Sequence, residues 1–142
     1  MPWRLLTHLG HVVRFATEHG DAAAADQRLL DGVMFGRLGA EAEPKLFYAE
    51  MSQNTNFQRP LAWNDVDTAD FDGLLLPGGH APRMRQYLGS ELLRGKVADF
   101  CTLDRPLGAI CHGVLVLARA SDPSTGHSPL YGRRTTCLPK YM

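Results

Sequence analysis

Cys111 is the residue whose setting most suggests chemistry. It lies in PLGAICHGVLVLAR, residues 106–119. Residues 106–110 read as a short buried strand, and 112–119 as the start of a helix with Val114, Leu115, Leu117 and Ala118 apolar. A strand that turns at once into a helix, with small residues two places either side of the turning residue, is the pattern of a nucleophile elbow. Ala109 and Gly113 are those small residues. At such a corner the strand and helix backbones approach so closely that a larger side chain would clash. The corner lifts the thiol from the core and sets it at a helix N-terminus, where amide dipoles favour the reactive thiolate. His112, next in sequence, could move protons. The competing reading is that Cys111 is a small buried hydrophobe, as most lone cysteines are. The flanking small residues and His112 favour the functional reading.

A second stretch gains meaning beside the first. FDGLLL, residues 71–76, is expected as a buried strand between Asp70 and Pro77, and it runs into Gly78, Gly79 and His80. Glycines at the carboxyl end of a parallel strand let the backbone come close to a ligand, and open α/β sheets bind ligands at such ends. A plain turn would use the same residues. Addition of a thiolate to a carbonyl creates an oxyanion, which backbone N–H donors stabilise. The His112 amide would be one donor and a glycine amide of the Gly78-Gly79 turn the other.

These residues need a fold to hold them. The chain has 142 residues, 44% hydrophobic and 21% charged, which is enough for one globular domain with a core. Fifteen basic residues offset fifteen acidic ones, so no net field draws nucleic acid or an anionic membrane, and neither is an expected partner. Cys101, Cys111 and Cys137 are an odd set without metal-type spacing. A disulfide framework is not expected, and a reducing, cytoplasmic compartment fits. No apolar run approaches the ~20 residues of a membrane span, and no signal segment is expected. His8 and His11 are three apart, but Gly10 ends the helix between them. No metal site and no cofactor are therefore expected.

Residues 2–9 read as a helix stopped by Gly10, and HVVRFAT, residues 11–17, as a strand. Alternating α/β domains usually open on a strand, so an element in front is expected to be missing. The span 18–66 is weakly patterned: a turn at Gly20-Asp21, a helix or ordered loop over 22–30, a helix over 44–51 and a turn-rich stretch over 54–60. Its Phe35, Phe47, Tyr48, Phe57 and Trp63 are too many aromatics for a solvated linker. The span is expected to pack as a cap-like insert on a single domain, 1–142; an ordinary crossover is the alternative. Ser90 should cap a helix over 91–103 whose buried side holds Leu93, Val97, Phe100 and Cys101. Residues 122–127 read as a loop and 133–138 as a last strand holding Cys137. Helical crossovers imply parallel pairing of 11–17, 71–76 and 106–110, with Gly79 and Cys111 at one edge of the sheet.

DGLLLPGGHAPRMRQYL followed by RPLGAICHGVLVLAR closely resembles the ThiJ/PfpI family of the class I glutamine amidotransferase-like superfamily. The similarity runs through most of residues 2–138, and 72–113 is its most specific part. The long insert between Thr17 and Phe71 is similar to the branch of chaperone-type glyoxalase III and deglycase proteins. The resemblance implies a flavodoxin-like, doubly wound parallel sheet, often in a homodimer. It implies Cys111 and His112 as catalytic residues, and Gly78, Gly79 and His80 as the oxyanion and substrate-binding turn. The family's glutamate beside the cysteine lies just after a first strand that has no counterpart here. A further acid paired with the histidine lies beyond the segment matching 133–139. Glu18 follows the second strand and Asp104 lies at the wrong end of the elbow strand, so neither is a good substitute. The chain is therefore expected to lack its first central strand and C-terminal elements, and to be an impaired catalyst.

Three functions follow. The first is a cysteine enzyme acting on small reactive carbonyls, of glyoxalase III or deglycase type. The second is amide or peptide hydrolysis by the same nucleophile. A glutaminase would need a later histidine, and His127 lies in a loop. The third is a non-enzymatic redox-responsive or chaperone module whose Cys111 oxidises reversibly.

Overall fold

A computed structural model describes residues 2–32, 39–79, 81–82 and 84–136. The chain divides into two contiguous compact units, Met1–Val66 and Asp67–Met142.

In the first unit, helix α1 (Pro2–His8) starts with proline in its first turn, where the missing N–H costs nothing. Gly10, at φ +86°, closes it, as the Gly10 and His11 amides return to the Thr7 and Leu6 carbonyls. Helix α2 (Gln27–Asp31) is short and capped by Asp26, which accepts from the Arg28 amide. Helix α3 (Ala42–Ser52) begins two residues earlier than the proline suggested, which still leaves Pro44 within the first turn. The Arg4 guanidinium lies over the Phe47 ring, 4.1 Å from its centre, and reaches Glu50 at 3.5 Å. Helix α4 (Thr55–Gln58) carries Phe57, which packs edge-on against Phe15 at 5.0 Å and Tyr48 at 6.2 Å. Of the aromatics of this span, Phe57 and Trp63 are buried, Phe47 and Tyr48 are half-buried, and Phe35 lies outside the described residues.

The strand expected over 11–17 is corrected to two residues. Strand β1 (Ala16–Thr17) pairs in parallel with β2 (Leu61–Ala62). The ladder cannot extend, because Pro60 has no N–H before β2 and the chain enters a 3₁₀ turn at Trp63–Asp65 after it. Val13 instead gives its carbonyl to the Asn56 side chain, and Val12 is 83% exposed. The expected pairing of 11–17 with 71–76 is thus replaced, among the described residues, by two separate two-stranded parallel ladders.

The second ladder organises the second unit. Strands β3 (Leu74–Leu76) and β4 (Leu107–Ala109) pair in parallel with Leu74 opposite Leu107 and Leu76 opposite Ala109. Between them run α5 (Met84–Gly89) and α6 (Glu91–Cys101), and after β4 comes α7 (Gly113–Arg119). Ser90 caps α6 by accepting from the Leu93 amide. Leu93, Val97 and Phe100 are buried with Val116, Leu117 and Ala120, and form the core of the second unit. Helix α6 ends at Cys101 rather than at 103, and Cys101 is half-buried rather than fully in the core. The Arg105 guanidinium donates to the carbonyls of Ala69 and Phe71 and ties down the entrance to β3.

The last expected strand is also corrected. Turns carry the chain past Tyr131, whose amide returns to Ser128, and Arg133, whose amide returns to Leu130. Residues 133–136 are then exposed and outside any ladder. Cys137 and Leu138 lie outside the described residues. Among the described residues no helix is long and apolar enough to cross a membrane.

Candidate active site

The register of β3 and β4 brings their carboxyl ends side by side. One strand continues into Pro77, Gly78 and Gly79, and the other into Ile110 and Cys111. The Ile110 amide still donates to Leu76, and then the chain turns sharply. Cys111 sits at φ +54°, in the left-handed region that a residue with a Cβ rarely enters. Holding it there costs on the order of 1–3 kcal/mol. The Gly113, Val114 and Leu115 amides take up the Ile110, Cys111 and His112 carbonyls and begin α7.

Two glycines make this corner possible. A Cβ on Gly113 would run into the Leu76 carbonyl oxygen and stand 2.7 Å from that of Pro77. A Cβ on Gly78 would stand 2.6 Å from the Cys111 Cβ, 2.6 Å from the Ile110 oxygen and 2.8 Å from the His112 nitrogen. The two predicted stretches therefore meet at van der Waals contact, through backbone.

Cys111 is exposed. Its sulfur lies 3.6 Å from Nδ1 of His112, and the same nitrogen lies 2.7 Å from the Gly79 carbonyl oxygen. A carbonyl oxygen only accepts, so Nδ1 must carry the hydrogen. In the neutral ring the lone pair then resides on Nε2. Toward the sulfur, Nδ1 is accordingly not a base.

His112 and Gly79 also line an open cavity of about 750 Å³, with Ala81, Pro82, Met84, Arg85 and Leu88. Helix α5 thus forms one wall of the site. It is braced at its far end by Arg119 of α7, which donates to the Leu88 carbonyl at 3.0 Å. Sequence reading passed over α5. The available signal was the spacing of Met84 and Leu88, one helical turn apart directly after the glycine turn.

Of the five site residues expected, Gly78, Gly79, Cys111 and His112 come together, and His80 lies outside the described residues. Asp104, at φ +51°, lies at the other end of β4 from Cys111. Glu18, in the first unit, lies 3.8 Å from its neighbour His19. His127 stacks on Tyr131 with ring centres 4.0 Å apart. Burial pushes the Cys101 thiol up, an effect that nearby Arg133 partly offsets.

An uncharacterised protein of Schizosaccharomyces pombe is 32% identical over 96% of this chain and 55% of its own length. Protein/nucleic acid deglycase 2 of Escherichia coli is 43% identical over 40% of this chain and 32% of its own length. The chain therefore spans about half, or less, of these relatives. A solved crystal structure matches the fold with TM-score 0.64 at 22% identity, over 92% of this chain and 52% of that one. It shares an α/β fold built on parallel strands. The family description that matches residues 1–142 is ThiJ/PfpI family-like, and the chain accordingly belongs to the ThiJ/PfpI family.

Proposed function

We propose that the chain carries the nucleophile of a cysteine enzyme acting on small reactive carbonyls, in the manner of a glyoxalase III or deglycase. The observation that carries this reading is the exposed Cys111 at a strand-to-helix corner, beside a histidine held by the Gly79 carbonyl. The Cys111 thiolate adds to the aldehyde carbon, an S–C bond forms, and the carbonyl π pair moves onto oxygen. Backbone amides at His112 and the Gly78-Gly79 turn would face that oxygen. In a 2-oxoaldehyde, a base then takes the hydrogen from the former aldehyde carbon and a proton returns to the neighbouring carbon. The aldehyde carbon is oxidised to a thioester, the ketone is reduced to an alcohol, and water releases the hydroxy acid.

The tautomer at His112 refines this scheme. Nδ1–H is committed to the Gly79 carbonyl, so this nitrogen fixes the ring beside the sulfur and is not the base. The name of the Escherichia coli relative, a protein/nucleic acid deglycase, supports the deglycase side of this reading.

The test is methylglyoxal consumption without glutathione, by the full chain and by Cys111→Ala. Turnover that disappears in the variant is the expected result. Turnover unchanged by the substitution overturns the reading, and sulfenate formation at Cys111 without turnover points to the redox module instead.

A further inference from the structure

We infer that Arg85 selects carbonyl substrates that carry a carboxylate; this rests on the reading of Cys111 as the nucleophile. The cavity lined by His112, the residue after Cys111, has a mixed lining. Among the described lining residues, Ala81, Pro82, Met84 and Leu88 are apolar, and the polar side chains are those of His112 and Arg85. No carboxylate is among the described lining residues, and among the described residues Arg85 has no acidic partner. Its side chain is exposed at the cavity, so it is available to a ligand at little desolvation cost. Guanidinium groups match carboxylates with paired, parallel N–H donors. A cavity that joins a guanidinium and apolar side chains to His112, the residue after Cys111, suits a short 2-oxoaldehyde that carries a carboxylate at its far end. A neutral dicarbonyl would leave Arg85 unused.

The experiment compares two alkylating reagents that differ in charge and hardly in size, iodoacetate and iodoacetamide. In each case the Cys111 S–C bond forms as iodide leaves. Labelling rates at Cys111 are read by peptide mass spectrometry on the full chain at low salt. Cys101 serves as the internal reference. The expected result is a fall of roughly two- to fivefold in the iodoacetate-to-iodoacetamide rate ratio at Cys111 in Arg85→Gln, the size of one exposed charge contact. Arg85→Lys keeps the ratio, and high salt reduces it. An unchanged ratio in Arg85→Gln, with Cys111 still labelled by iodoacetamide, overturns the role of Arg85 and leaves the nucleophile reading standing. Failure of both reagents at Cys111, with Cys101 labelled, overturns both.

Discussion

At Cys111 the backbone pays for the position of the side chain. At φ +54° a Cβ is unfavourable, and only glycine is relieved of that cost. Cys111→Gly should therefore be more stable than Cys111→Ala by about 1 kcal/mol, although both lack the thiol. Equal denaturant midpoints for the two would contradict the left-handed geometry. The nucleophile and its neighbour were legible because side-chain type and local spacing are written directly in the chain. The role of each nitrogen of His112 was not legible, since it depends on the carbonyl of Gly79, a residue 33 positions away. Cys101 shows the limit of helical periodicity: the pattern puts it on the buried face, but it falls at the last position of α6, where cover runs out.

At the level of elements, α6 and the glycine contacts decide whether the corner is held. Ser90→Ala removes the acceptor of the Leu93 amide and should cost about 0.5–2 kcal/mol, measurable by urea unfolding. Gly113→Ala should cost more than that. The added methyl meets backbone of β3 that cannot rotate away, so helix and strand must separate, at about 1–3 kcal/mol or above. A smaller loss than for Ser90→Ala would show that α7 and β3 do not touch as described. Helix α6 could be read from its cap and its buried stripe. The β1 segment could not be read to its true length, because HVVRFAT has strand composition but its partner is limited by Pro60 and Trp63. Strand length is set by the neighbour, which composition does not reveal.

For the molecule as a whole, alkali should be the weak side of its stability. Burial raises the pKa values of both Tyr87 and Cys101. The native state therefore holds these protons more tightly than the unfolded chain does. Their contribution is complete below the ordinary thiol value of 9.0 and is lost as pH rises through that value and then the ordinary phenol value of 10.0. Denaturant midpoints measured from neutral to strongly alkaline pH should fall from about pH 9 onward; a flat profile would refute the burial of both groups. The distribution of buried side chains has a further consequence. Among the described residues, all the buried hydrophobic side chains except Phe57 and Trp63 belong to the second unit, including the fully buried Val97, Phe100 and Val116. Amide hydrogen exchange should therefore be layered. The Ile110 amide, bonded across the ladder to Leu76, should exchange only on near-global opening. The Leu61 amide, in a ladder of two residues, should exchange through cheap local openings. Deuterium would then reach the first unit while the corner that carries Cys111 still holds its protons.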